Sequence, residues 1–121
     1  MANSYRRFFH KNVATGSTTT VMTVPAATTA IVKSAIVENK NASDNEFKMV
    51  AGLDGNASDI TLSTTTVPTL TAVDLMVGGT SAFGGSGAKG PVILEANDTL
   101  KFQASQASGN VVISVLLVDR N

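Results

Sequence analysis

The feature that most constrains the fold is an alternation of apolar and polar residues in the last quarter of the chain. The apolar positions are Leu100, Phe102 and Ala104, and the polar positions between them are Lys101 and Gln103. This period of two places an apolar face and a wet face on one extended segment, which predicts a half-buried β-strand. A turn is expected at residues 105–110, which are small or turn-forming and include Gly109, a residue able to adopt positive φ.

The strand predicted after this turn is apolar on both faces. One face carries Val111, Ile113, Val115 and Leu117. The other face carries Val112, Leu116 and Val118, with Ser114 among them. A strand of this kind needs cover on both sides, either inside the fold or against another subunit. We therefore predict that Val112, Leu116 and Val118 contribute to an interface.

The rest of the sequence predicts more short strands and no long helix. Thr, Ser, Ala, Gly and Val dominate and Trp is absent, a composition that favours strands joined by tight turns. Strands are predicted at residues 17–24, 28–38, 46–51, 60–67 and 91–94. In the third of these, Phe47, Met49 and Ala51 should face inward. Residues 70–77 fit a helical face as well as a strand, and we assign them to a strand.

Strands at spacings near ten residues predict an all-β fold, a single antiparallel β-sandwich or jelly-roll-like domain over residues 17–121. A chain of 121 residues is long enough to bury a core without disulfides, and it contains no cysteine to form one. Redox compartment therefore cannot be inferred from cysteine usage.

Residues 1–16 are predicted to form an extended N-terminal arm outside the sandwich. Half of the aromatic residues lie here, together with basic residues and no acid before Glu38. Two interpretations are open: a disordered terminus, or an arm that docks on a neighbouring subunit, since aromatics and Arg are enriched in interface cores. The docking residues would be Tyr5, Arg6, Arg7, Phe8 and Phe9.

The charge balance argues against general capture of nucleic acid or an anionic membrane, because nine Lys and Arg match nine Asp and Glu. No apolar run approaches the roughly 20 residues of a membrane helix, and the N-terminus lacks the apolar core of a signal peptide. We expect a soluble chain made without a secretion signal, with no membrane partner and no specific nucleic-acid partner.

Two loops match the residue patterns of known binding sites but lack the structural context that those sites require. Residues 85–90 spell G-x-G-x-x-G, but a predicted strand follows, so no helix N-terminus is present to bind phosphates. Residues 54–59 place oxygen ligands at alternate positions, as calcium loops do, but the sixth position is not Gly and the twelfth is Thr65. We interpret residues 85–90 as a mobile loop and residues 54–59 as a solvated turn.

Catalytic residue types are scarce. The one histidine, His10, has no carboxylate near it in sequence, so a triad or a multi-histidine metal site is not expected. Asp44, Asp54, Asp59 and Asp98 fall in predicted turns, where a solvated surface role is the default. The Asn-x-Ser/Thr patterns at Asn41, Asn56 and Asn97 are interpreted as turn residues. We predict no enzyme activity, no catalytic residue, no cofactor and no metal.

Two parts of the sequence resemble small all-β virion proteins of tailed bacteriophages. They are residues 18–37, which include TTTVMTVPA and TAIVKSAIV and lead to Asn39, and residues 92–104, VILEANDTLKFQA. The resemblance covers about half of the chain and consists of strand and turn residues. The chain departs from the family pattern in a long insertion at residues 78–90 and in Asn97, where glycine is usual.

This resemblance implies a capsid decoration (cement) protein, with a neck or tail accessory subunit as the alternative. It implies a homo-oligomer, by analogy a trimer, made in the host cytoplasm and located on the virion, at the capsid surface or the neck or tail. Its partners would be the major capsid protein or other virion proteins. It carries over no catalytic position. A carbohydrate- or receptor-binding β-sandwich is a further alternative, for which Phe83 on the glycine-rich loop would be the exposed aromatic residue.

Overall fold

The computed structural model describes residues 3–77 and 92–120, and these parts of the chain contain nine strands, one short 3-10 helix and no α-helix. The strands are β1 (Asn3–His10), β2 (Thr19–Thr23), β3 (Thr28–Asn39), β4 (Asn45–Gly52), β5 (Ile60–Val67), β6 (Thr71–Asp74), β7 (Val92–Leu94), β8 (Thr99–Ala104) and β9 (Gly109–Asp119). The 3-10 helix is Leu75–Val77, so only the first part of the segment 70–77 forms the expected strand.

The strands form two antiparallel sheets that enclose one core. Sheet A has the order β1-β9-β3-β6, with β7 also paired to β3, and sheet B has the order β2-β8-β4-β5. The predicted all-β sandwich is confirmed. Strands β8 and β9 are both interior strands of their sheets, and residues 105–108 alone connect them.

The core consists of the inward residues of both sheets, as the alternation predicted. Phe47 and Met49 on β4 and Leu100 and Phe102 on β8 have no exposed surface. From β9 the inward set is Val111, Ile113, Val115 and Leu117, all of them buried. The described residues include no helix long and apolar enough to cross a membrane.

The N-terminal segment differs from the expected separate arm. It is extended, but residues 3–10 form β1, an edge strand of sheet A that pairs along its whole length with β9. Alternation within β1 explains this position, because Phe8 lies opposite Ile113 and packs against the core. Val13 is also buried, and its backbone N–H donates to the Gly109 carbonyl at 2.7 Å. The predicted boundary at residue 16 therefore does not separate an arm from the sandwich.

A β-bulge divides strand β3. Its pairing with β9 shifts between Val32 and Ser34, so that Lys33 is the extra residue. Because of this insertion, Val32 and Ala35 both face the core although they are three residues apart. Beyond the bulge, Ile36 faces outward at 40 % exposure.

The β8–β9 turn uses a different residue from the one expected for the left-handed conformation. Ser108 has φ 65°, and Gly109 does not have a positive φ. Gly109 is instead required by close packing, since a Cβ at this position would lie 2.7 Å from ring carbons of Phe47. A positive φ does occur at Asn97 (71°), which explains why glycine or asparagine suits that turn.

Buried polar groups hold the loops at both ends of the sandwich. The amide of Asn39 donates to the carbonyls of Ser43, Val67 and Pro68. Asp98 was expected at the solvated surface, but it is only 6 % exposed, and its carboxylate accepts from the backbone N–H of Asp54 at 2.7 Å and of Glu95 at 2.8 Å. Such groups are costly to bury unpaired, and here their bonds fix the loop positions.

Candidate interaction surface

The outer face of sheet A carries two rows of apolar side chains. Residues directly opposite each other in an antiparallel ladder project to the same side, so the strand register defines these rows. The first row crosses β1, β9, β3 and β7 through Tyr5, Leu116, Ile31 and Ile93. The second row crosses β1, β9 and β3 through Phe9, Val112 and Ile36. We call these seven residues the apolar face.

Several of these side chains are open to solvent. Tyr5 is 77 % exposed, Ile93 61 % and Phe9 57 %. Between the two rows lies a polar row in which Arg7 is opposite Ser114, and Ser114 is opposite Ser34. A face with exposed aromatic and branched residues around one arginine has the composition of an interface core.

The outer face of sheet B has the opposite character. Lys48 lies opposite both Thr64 on β5 and Gln103 on β8, and these positions are exposed or half-buried. Lys101 on the same sheet forms an ion pair with Asp59 at 3.1 Å. An antiparallel sheet with one solvated face is ordinary, so the apolar outer face of sheet A is the side that requires an explanation.

The structure brings most of the predicted interface residues together. Tyr5 and Phe9 were predicted from the N-terminal segment, and Val112 and Leu116 from the last strand; the β1–β9 register places them side by side. Val118, opposite Asn3, extends the same side. The alternation of β1 directs Arg6 and Phe8 to the other side of the sheet.

Sequence reasoning missed the contribution of β3 and β7. Ile31, Ile36 and Ile93 belong to the apolar face, but from the sequence they were assigned only to the strands predicted at residues 28–38 and 91–94. The signal was present, because Val32 and Val37 alternate with Ile31 and Ile36 around the bulge, which makes β3 apolar on both faces as β9 is.

The two arginines of β1 are exposed and have no ion-pair partner among the described residues. In residues 3–77 and 92–120 the ion pairs are Lys101 with Asp59 and Arg120 with Glu95. No acidic residue lies in β1 itself. The edge of sheet A therefore carries positive charge that the described part of the chain does not neutralise.

The other sequence motifs give weaker evidence of a functional site than the apolar face does. The G-x-G-x-x-G loop at 85–90 and Phe83 lie outside the described residues. In the calcium-like loop, Asp59 binds Lys101, and the described residues contain no group of three or more His, Cys, Asp or Glu placed to hold a metal. A depression of about 90 Å³ on sheet B, lined by Glu46, Lys48 and Gln103 among others, is far smaller than the roughly 300–1,000 Å³ of ligand pockets.

No protein-family model matches the chain, and no curated protein matches it in sequence. Among solved structures, it is similar to a chain in "Structure of infectious bursal disease virus Gx strain", with 13 % identity and a TM-score of 0.32. The match covers 97 % of this chain and 37 % of that one, so this chain spans little more than a third of the other chain's length. A similarity at this level carries no argument about function.

Proposed function

We propose that this chain is a non-enzymatic structural protein of a tailed-phage virion, which attaches to other virion proteins through the apolar face. The observation that carries the proposal is the meeting of β1 and β9 on one exposed apolar surface. Its support from sequence is the resemblance of residues 18–37 and 92–104 to small all-β phage virion proteins. Capsid decoration is preferred over a neck or tail position.

The apolar face suits attachment by surface burial. Tyr5 and Phe9 present large rings at the sheet edge, and burial of a large apolar side chain stabilises a complex by up to about 1.5–3 kcal/mol. Arg7 between them can pair with a carboxylate on the bound protein, which fixes orientation. Attachment of this kind needs no chemistry from the chain.

The decisive experiment is mass spectrometry of purified particles of the phage that encodes this chain. Peptides of the chain should be present in mature virions at a stoichiometry that fits a decoration or accessory subunit. Their absence from mature particles would contradict the proposal.

A rebinding assay then tests the surface. Particles that lack the chain should bind the Tyr5→Ser/Phe9→Ser variant at least about tenfold more weakly than the parent protein, since two apolar anchors are lost. Ile60→Ser/Leu70→Ser is the matched control, because these side chains are exposed by 42 % and 75 % and lie off the apolar face. Equal loss in both variants would show that this face is not the attachment site.

Self-association belongs to the same proposal. We expect a homo-oligomer, by analogy a trimer, because one small sandwich leaves this apolar face open. Light scattering at increasing concentration measures the mass directly, and a monomer at high concentration would remove the homo-oligomer from the proposal.

A further inference from the structure

The unpaired edge of β1 differs from every other sheet edge in the described part of the chain. Edge strands usually carry features that prevent addition of a further strand: short length, proline, a bulge, a covering segment or charged side chains. The opposite edge of sheet A consists of β6 and β7, four and three residues long. In sheet B, β2 is short and bulged, and the pairing of β5 is bulged between Met49 and Val50 of its partner.

Of these features, strand β1 has only charged side chains, those of Arg6 and Arg7. Its eight residues pair with β9 in a ladder without a register shift, and they include no proline. No strand of the described residues pairs with its second edge. That edge therefore offers a row of backbone N–H and C=O groups to an added strand.

The charges of β1 decide which strand can be added. Arg6 and Arg7 are consecutive, so they project to opposite faces at the middle of the edge. Two copies of β1 could pair antiparallel with their apolar faces on the same side of the sheet. The two such registers with the most residue pairs place Arg6 opposite Arg6 or Arg7 opposite Arg7. Like charges directly opposite are destabilising, so the edge disfavours a second copy of β1.

We propose that the free edge of β1 binds an extended acidic segment of another protein by strand addition. Opposite Arg6 and Arg7 the added strand carries two consecutive carboxylates, one on each face. Opposite Tyr5 and Phe9 it carries apolar side chains, which extend the apolar face by one strand. This inference rests on the proposed function in one respect only: the partner is expected among the proteins of the particle.

A strand is favoured over a nucleic acid because charge and backbone coincide at this edge. A single-stranded nucleic acid would use the arginines for its phosphates and stack bases on Tyr5 and Phe9, but it would leave the backbone N–H and C=O groups of the edge without a role. The experiment therefore includes single-stranded and duplex oligonucleotides as competing probes.

The test is an NMR and calorimetric titration of the full chain with a capped peptide that has two central glutamates flanked by valine and threonine. Amide shifts should concentrate in residues 3–10, and hydrogen exchange there should slow. The same peptide with glutamine in place of glutamate should bind at least about tenfold more weakly. Added salt should weaken binding, because the paired charges are exposed.

Charge reversal provides the matched variants. Arg6→Glu/Arg7→Glu should lose the glutamate peptide and gain binding to a lysine peptide. Lys40→Glu/Lys48→Glu makes the same change in net charge at exposed residues outside β1 and should bind as the parent protein does. Both variants alter exposed side chains only, and circular dichroism checks that they remain folded.

Backbone methylation separates strand addition from simple ion pairing. Two peptides methylated at alternate sets of backbone nitrogens keep the same charge, but only one set faces the edge, so one peptide should bind and the other should not. Equal binding of both, no binding of the glutamate peptide, shifts outside β1, or preferential binding of an oligonucleotide would each overturn the proposal. Because no particle is used, these results are independent of whether the chain occurs in virions.

Discussion

Replacement of Gly109 by alanine should destabilise the domain through one steric contact. A Cβ at this position would lie 2.7 Å from Cε2 and Cζ of Phe47 and 3.4 Å from the Cβ of Ala104. Phe47 has no exposed surface, so its ring cannot move into solvent. The φ of Gly109 is not positive, so the backbone conformation itself accepts alanine.

The expected cost is that of overpacking a closed core, about 1–3 kcal/mol. Leucine in place of Phe47 removes the two ring atoms that meet the new methyl group. The double variant Phe47→Leu/Gly109→Ala should therefore be more stable than the sum of the single changes predicts, with a coupling energy of about 0.5–3 kcal/mol.

Urea denaturation of the parent protein, the two single variants and the double variant measures this coupling. Gly16→Ala is the control, because Gly16 has φ 77° and its added Cβ would meet nothing within 4 Å. It should cost about 1 kcal/mol through backbone strain, with no rescue by Phe47→Leu. If Gly109→Ala costs less than roughly 0.5 kcal/mol, or if its cost adds to that of Phe47→Leu, the close contact is not what makes glycine necessary.

Three further predictions concern the core, a loop and the edge strand. Phe102→Ala should cost about 3–5 kcal/mol in a denaturant titration, because its ring is fully buried; a loss below roughly 1 kcal/mol would contradict the strand facing. Asn45→Ala should cost about 1–3 kcal/mol and speed hydrogen exchange at the Gln106 amide, which donates to Asn45 Oδ1 at 2.9 Å; unchanged exchange would show that another group holds this turn. Deletion of residues 1–12 should lower stability and cause aggregation detectable by light scattering, because it exposes the edge of β9; a truncated chain as stable as the parent would show that β1 contributes little.

Strand facing could be predicted from the sequence where burial follows a strict period of two. Within residues 47–51, 100–104 and 111–117, every second residue is apolar and buried, which is why the inward facing of Phe47 and Phe102 was predicted correctly. The same reasoning identified Val112 and Leu116 as a second apolar face that requires cover.

Strand pairing could not be predicted in this way. Periodicity gives the face of a strand but not its neighbour, so nothing in the N-terminal sequence indicated that Tyr5 would lie opposite Leu116. Aromatic residues at the exposed positions of an edge strand also hide its alternation, which made β1 look like an arm. Close approaches such as Gly109 to Phe47 depend on the packing of both sheets and have no local signal.

The positions of β8 and β9 have a consequence for the order in which the fold can form. Each is an interior strand, and the turn at 105–108 joins them, so sheet B cannot close before the ribosome has made β8, and sheet A cannot close before it has made β9. Strand β1 cannot pair until β9 has been made, because Asn3 lies opposite Val118 in the ladder. Until that point the β4–β5 hairpin is the main local pairing that the nascent chain can form, and the unpaired strands remain open to mispairing. The sandwich should consequently fold in one late, slow and highly cooperative step, governed by long-range contacts rather than by growth from the N-terminus.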